Sequence, residues 1–385
     1  MRKKFTPLSI LYSVTFVFSI HYAFVLYINS SFLGQFFSTQ EVGAIFTVGS
    51  IFSLISLLYM PKLLNRFGIA SVTEWFLYIL AGSALGLAYT KNGWLAMILF
   101  FLLYNLQLLI RYILDIYIEK YSKFATTGKT RGIFLTIINF AIAMSPIAVG
   151  AIIARGNLET VYLASALLAL VTIAISNKTL HHIKDLSYHE GTFISAFKKI
   201  WDNKDIFHIF SANILLEFFY AWMVIYTPIY LSTILGFSWE TIGIIFSVML
   251  IPFAVFELPA GYIADKYIGE KEILGTGFFI MGISTIALSF ISGSSALVWA
   301  TALFITRTGA SLAEIMIDTY FFKKVSTVDT DIIAAFRGSR SIALIIAPAA
   351  GILVIAFLPM QYLFSILGAL MFIGILNAIK IQDTK

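Results

Sequence analysis

Arg307, Ser311, Glu314 and Asp318 stand at i, i+4, i+7 and i+11 within one long apolar stretch, so a helix there carries all four on a single face. Two other apolar stretches repeat the arrangement, with Asn213, Glu217 and Tyr220 on one face and Tyr104, Arg111 and Asp115 on another. His21 occupies the middle of a further apolar run, and Asn105 the middle of the run that carries Tyr104. An ionisable side chain in hydrocarbon costs about 2.5–3.5 kcal/mol on insertion scales, so these faces must meet water, protein or ligand. A carboxylate in such a place can trade its proton against a substrate or a conformation. Glu217 is the first candidate for that role. Arg307 is suited to pair either with ionised Glu217 or with an anionic substrate, and a permanent Glu217–Arg307 pair that only joins two helices is the alternative. His21 either carries protons near neutral pH or serves as a hydrogen-bonded packing residue. The aromatic residues Tyr22, Tyr27, Tyr104, Tyr220, Trp222 and Tyr226 either stack on a flat or amphipathic substrate or pack against helices and lipid.

Bond-making chemistry has little support. The chain has no cysteine, which removes thiolate nucleophiles, disulfides and Cys-ligated metals. It has no P-loop, H-E-x-x-H or G-x-S-x-G motif, so neither an ATP-driven pump nor a membrane hydrolase is expected. His181, His182 and Asp185 are metal-type ligands without a further ligand pattern, and neither a metal nor another cofactor is expected.

The elements that must position these residues follow from composition. The chain has 385 residues, of which 59% are hydrophobic and only 12% charged, against about 25% charged in a soluble domain. A spanning helix needs about 20 apolar residues. Twelve such runs are present, at 8–31, 41–60, 72–90, 94–117, 131–153, 158–176, 206–232, 240–262, 273–292, 296–320, 332–357 and 360–379. Run length selects helices over the short alternating segments of a membrane barrel. The first run follows Arg2, Lys3 and Lys4 but is too long for a typical signal segment and is read as a retained helix. Lys62, Arg66, Lys120, Lys123, Lys129, Arg131, Lys266, Lys271, Lys323, Lys324, Arg337 and Arg340, with the lysines of 177–205 and both tails, fall on one side of this arrangement. Only Lys91 and Arg155 fall on the other. The positive-inside rule then puts both termini in the cytoplasm, in a cell or inner membrane. The net charge of +6 follows from that topology, and no nucleic-acid partner is expected.

The halves repeat at a spacing near 200 residues. Ser38, Gly43, Ile45, Phe46 and Val48 recur as Ser238, Gly243, Ile245, Phe246 and Val248. Asp115-Ile-Tyr117 recurs as Asp318-Thr-Tyr320, and Arg131-Gly132 as Arg337-Gly338, each followed by a mid-run proline, Pro146 or Pro348. Each half has an even number of spans, so the repeat is parallel, about an axis along the membrane normal. It divides the chain into bundles at 1–176 and 206–385, joined by a cytoplasmic linker loop at 177–205. Rocking of two such bundles about a central cleft gives alternating access.

The segment Gly261-Tyr-Ile-Ala-Asp265-Lys266-Tyr-Ile-Gly269-Glu-Lys271, with Glu257-Leu-Pro259 before it, resembles the signature turn of the major facilitator superfamily. Its second Gly comes one place late, and Glu270 intervenes before Lys271. In the first-half copy, Pro61 replaces the Gly and Asn65 the Asp. Ala141, Ser145, Pro146 and Gly150 resemble, more loosely, that superfamily's antiporter motif. The resemblance implies an all-α fold of two pseudo-symmetric six-helix bundles. It also implies a cavity lined by spans 1, 4, 7 and 10, where His21, Asn105, Glu217, Tyr220 and Arg307 are substrate- or proton-binding candidates. Arg111, Asp115, Arg131, Glu257, Gly261, Asp265, Lys266, Glu314, Asp318 and Arg337 are then candidates for a cytoplasmic gate. Asp265 can sit against a helix N-terminus, and Lys266 and Arg131 can pair with span-end acids such as Asp115. Glu257 is either part of that gate or a second proton site.

These readings lead to a monomeric, non-enzymatic secondary transporter that moves a small molecule across the bilayer by alternating access. Protons are the expected coupling ion, with a slight lean to efflux by antiport. The alternatives are a proton-coupled importer of a sugar or organic anion, and a non-transporting receptor or scaffold on a transporter fold.

Overall fold

In the computed structural model the described residues are 7–26, 28–122, 127–176, 193–291, 293–326, 329–382 and 384. Tyr27, the basic residues of the N-terminal tail, His181, His182 and Asp185 lie outside them. The described residues are helical and include no strand. The helices are α1 (Pro7–Leu26), α2 (Asn29–Leu33), α3 (Thr39–Phe67), α4 (Ile69–Tyr89), α5 (Gly93–Lys120), α6 (Thr127–Arg155), α7 (Leu158–Ser176) and α8 (Phe193–Asp202). They continue with α9 (Lys204–Ile229), α10 (Trp239–Ile263), α11 (Lys271–Leu288), α12 (Ala296–Lys324), α13 (Thr330–Phe357) and α14 (Tyr362–Lys380). Short π-helical turns at Tyr230–Ile234 and Ala264–Ile268 extend α9 and α10. Twelve of these helices are long and apolar enough to cross a membrane. Their outer faces carry bare apolar side chains such as Phe357 and Leu297, which suits contact with hydrocarbon tails.

Local sequence sets the helix starts. The repeated serines are both N-caps: Ser38 Oγ accepts from Glu41 N at 3.4 Å, and Ser238 Oγ accepts from Thr241 N at 3.3 Å. At Ser38 the Glu41 carboxylate also accepts from Ser38 N at 2.8 Å, completing a capping box. The helices overrun the apolar stretches at the end where α5 and α12 finish and α6 and α13 begin, here termed the charged end. Arg131, Arg337 and Arg340, counted above toward the positive side, lie within α6 and α13, inside the runs 131–153 and 332–357. Arg131 is fully buried, so it reports on packing and not on topology.

In the first half, α4 packs on α5 and α7, and α1 on α6 and α7. In the second half, α11 packs on α12 and α14, α9 on α13 and α14, and α10 on α12. The two most extensive seams between the halves are α6 with α10 and α3 with α13, and the repeat relates one to the other. Between the halves in sequence, α8 is amphipathic: Ala196 and Ile200 are buried, Trp201 is exposed, and Lys199 pairs with Asp331 of α13 at 2.8 Å.

Candidate functional site

The charged end is sealed by a crossed ion-pair network. Arg337 of α13 grips Asp115 of α5 through two bonds, Nε to Oδ2 at 2.6 Å and Nη2 to Oδ1 at 2.9 Å. The same Nη2 donates to Asp318 of α12 at 2.7 Å. Arg131 of α6 donates to Asp115 at 2.9 Å and lies 3.3 Å from Asp318 and 3.9 Å from Glu119. Both guanidinium groups stack on Phe322, with Arg131 only 3.3 Å from the ring centroid. Each acid thus holds one arginine from its own half and one from the other. Paired, hydrogen-bonded charge of this kind is what makes such burial tolerable.

Beside this network lies the glycine-lined α6–α10 seam. A Cβ on Gly261 would sit 2.7 Å from the Gly128 carbonyl oxygen, so α10 needs a bare Cα here. Asp265 Oδ2 accepts from the Lys129 backbone N at 3.1 Å, placing the carboxylate on the positive first turn of α6. Lys266 does not join the Asp115 cluster. It donates to Tyr262 Oη at 3.1 Å and lies over the Tyr262 and Tyr267 rings. Lys323 takes the expected basic role, bridging Asp265 at 2.8 Å and Glu270 at 2.6 Å. Glu270, the residue that interrupts the signature turn, is fully buried as Lys323's anchor. Deeper in the seam, Asn139 Nδ2 of α6 donates to Glu257 Oε1 of α10 at 2.7 Å.

Above the network, at mid-height, a cavity of about 60 Å³ lies between the halves. It has room for a few waters. Tyr22 and Phe18 of α1, Tyr104, Gln107 and Arg111 of α5, Phe134 of α6, Glu217 of α9, and Arg340 and Ser341 of α13 line it. Glu217 Oε2 has no hydrogen-bond partner among the described residues. Arg340 donates to Tyr22 Oη at 2.8 Å, a bond that crosses between the halves, and Glu217 lies within its electrostatic reach. Arg307 is buried and faces the Phe219 and Tyr220 rings, at 5.0 and 5.6 Å from their centroids. Tyr220 Oη donates to Glu314 Oε2 at 2.6 Å.

The remaining candidates sit off the cavity wall. His21 is fully buried against α7, with Nδ1 at 2.8 Å from both the Oγ and the carbonyl oxygen of Ser165. Its Nε2 is 3.4 Å from Gln107, its link to the cavity. Asn105 turns toward α3, donating to Ser56 Oγ at 3.2 Å. Asn213 donates to Ser339 Oγ of α13 at 2.7 Å. Arg340 and Gln107 are cavity residues that the sequence analysis did not single out. Arg340 falls three residues after Arg337, so both face the same side of α13, and that spacing was available as a signal. Among the described residues no group of His, Asp and Glu is arranged to hold a metal ion.

Two crossed acid–arginine pairs at one end of two six-helix halves, with a polar cavity above, agree with the implied architecture. The model of the Major Facilitator Superfamily matches residues 8–330 and again residues 227–384. The chain belongs to that superfamily. Many solved structures share its fold, and three of them illustrate it. The human organic anion transporter MFSD10 (TETRAN) has a TM-score of 0.77 at 12% identity, covering 96% of this chain and 98% of its own. The Escherichia coli fucose:proton symporter FucP scores 0.75 at 13% identity, covering 98% of this chain and 99% of its own. A bacterial homologue of the iron transporter ferroportin, in an outward-facing state, scores 0.74 at 13% identity with coverages of 98% and 99%. No curated protein matches the chain in sequence. The superfamily and its multi-pass, twelve-helix architecture are therefore established, and a small-molecule substrate in a lipid environment follows from them.

Proposed function

We propose that this superfamily member is a proton-coupled secondary transporter of a small organic anion. The observation that carries the reading is the cavity, where Arg111 and Arg340 line the wall with one acid among the described residues, Glu217. Arg337 also reaches the wall, but Asp115 and Asp318 already hold it. A cation surplus in a low-dielectric pocket attracts an anionic group, and a guanidinium suits a carboxylate or phosphate geometrically. Phe18, Tyr22, Tyr104 and Phe134 supply an apolar body for the rest of the molecule. Glu217, with an oxygen unmatched by any described residue, is the group whose proton is exchanged against the substrate. The cavity lies within one chain, so a monomer suffices. Residues 1–176 and 206–385 act as the rocking bundles, and the charged end faces the cytoplasm of a cell or inner membrane. A second reading, efflux of an amphipathic cation by antiport, draws on the same aromatic wall and on Glu217.

Proteoliposomes with an imposed proton gradient and an internal pH reporter separate the two. Organic acids, lipophilic cations and sugars are added singly to wild type, Glu217→Gln and Arg340→Gln. Gradient collapse by organic acids with wild type only supports the anion reading. Collapse by cations that persists in Arg340→Gln replaces it with antiport.

A further inference from the structure

Glu257 has no part in the cavity or in the crossed network, and it is wholly buried at the α6–α10 seam. Its Oε1 accepts the Asn139 hydrogen bond from the opposite half, while Oε2 has no hydrogen-bond partner among the described residues. The seam is tight at this height. A Cβ on Gly132 would lie 3.1 Å from Leu258 Cα and 3.3 Å from the Glu257 carbonyl oxygen. Asn139 is the polar group that meets it from α6. Glu314 and Asp318 of the packed helix α12 act on it electrostatically, as does Arg111 of α5. Two like charges and one opposite charge do not compensate an ionised carboxylate that holds a single neutral hydrogen bond. A protonated Glu257 fits the closed seam, with Asn139 donating to its carbonyl oxygen. Separation of the halves at the charged end breaks the Asn139 contact and brings water to the acid.

We propose that Glu257 is a proton-binding site that reports seam closure: the closed α6–α10 contact requires its protonated form, and opening releases that proton to water at the charged end. This rests on the alternating-access reading above and gives the two acids separate tasks. Glu217 faces the cavity and senses substrate, whereas Glu257 faces the seam and senses conformation. The O–H proton of Glu257 passes to water on opening and is taken up again before closure.

The absence of native cysteine permits a direct test with spin labels on Lys62→Cys and Glu272→Cys, exposed positions at the charged end on opposite halves. The interlabel distance is measured against pH in lipid nanodiscs, without substrate or gradient. The labelled parent is expected to shift toward longer distances as pH rises. Glu257→Gln should lose that shift and stay short throughout, while Glu314→Gln, which removes a like charge, should keep it but begin it at lower pH. A shift that survives Glu257→Gln, vanishes in Glu314→Gln alone, or is absent from the parent overturns the proposal. If Glu257→Gln does not fold, infrared spectroscopy on wild type decides the matter. A protonated-carboxyl band that fades over the range of the distance change, and moves in Asn139→Ser, supports it; the lack of such a band overturns it. The distance measurement needs no transport. A Glu257-dependent shift without proton-coupled flux in liposomes would leave this site standing and remove the transport reading, and the reverse pattern would do the opposite.

Discussion

The charged end and the mid-height cavity both bury ionisable groups, but they balance them differently. At the charged end, Asp115 and Asp318 face Arg131 and Arg337, and every member of the set has a partner across a short distance. In the cavity, Arg111 and Arg340 share the wall with Glu217, one of whose oxygens has no hydrogen-bond partner among the described residues. Burial costs the same currency in both places, yet only the first is balanced by the protein itself. Matched charges act as structure, and their loss destabilises. A mismatched set is held at a cost that a ligand or a proton can offset, so its loss should change function more than stability.

The strongest attempt to break this contrast is Asp115→Ala. It leaves the fully buried Arg131 and the Arg337 fork sharing Asp318, with Glu119 as a distant substitute, and should cost about 3–5 kcal/mol. Thermal melting in detergent should fall sharply and the Lys62/Glu272 label distance should lengthen. An unchanged melting temperature would mean that the network is ornamental. Next comes Arg340→Gln, which removes the Tyr22 bond and the cavity's central guanidinium. Loss of a charge-assisted hydrogen bond of about 1.5–3 kcal/mol corresponds to a rise of roughly tenfold to a hundredfold in KM for an anionic substrate, with little change in melting. Gly261→Ala tests the seam between the two regions. Its new methyl would meet the Gly128 carbonyl, and overpacking of about 1–3 kcal/mol should weaken closure while leaving substrate affinity in the open form intact. Glu217→Gln should have the smallest effect on melting, under about 1 kcal/mol, because Oε2 has no hydrogen bond to lose among the described residues. The same substitution should abolish proton flux. If it melts like Asp115→Ala, the two regions are not different in kind.

The architecture was legible because hydrophobic run length and the 200-residue repeat are both properties of one chain read in order. Ser38 and Ser238 became matching helix caps, and Asp115 with Asp318 and Arg131 with Arg337 became the two halves of one network. What the sequence could not supply was rotation about helix axes and helix length beyond the apolar runs. Arg340 was therefore counted only toward the positive side, although it lies inside the run 332–357 and the rotation of α13 turns it into the cavity. Lys266 was expected near Asp115, but the π-helical turn at Ala264–Ile268 leaves it on Tyr262 and Tyr267. Arg307 was matched with Glu217 by depth alone, and its buried head faces two aromatic rings whose positions depend on how α9 and α12 cross.

The crossing of the network has a mechanical consequence. Asp115 shares its half with Arg131, and Asp318 shares its half with Arg337. When the halves part at this end, the four-membered cluster divides into two electrically neutral couples, and no ion is stranded. The contacts that are lost, Arg337 with Asp115 and Arg131 with Asp318, run between members that each retain a mate. A lock built from one acid in the first half and one base in the second would have to expose a bare charge on each side at every cycle. Under the proposed rocking, this one would open like a clasp whose two leaves are each complete, strong when shut and still easily released.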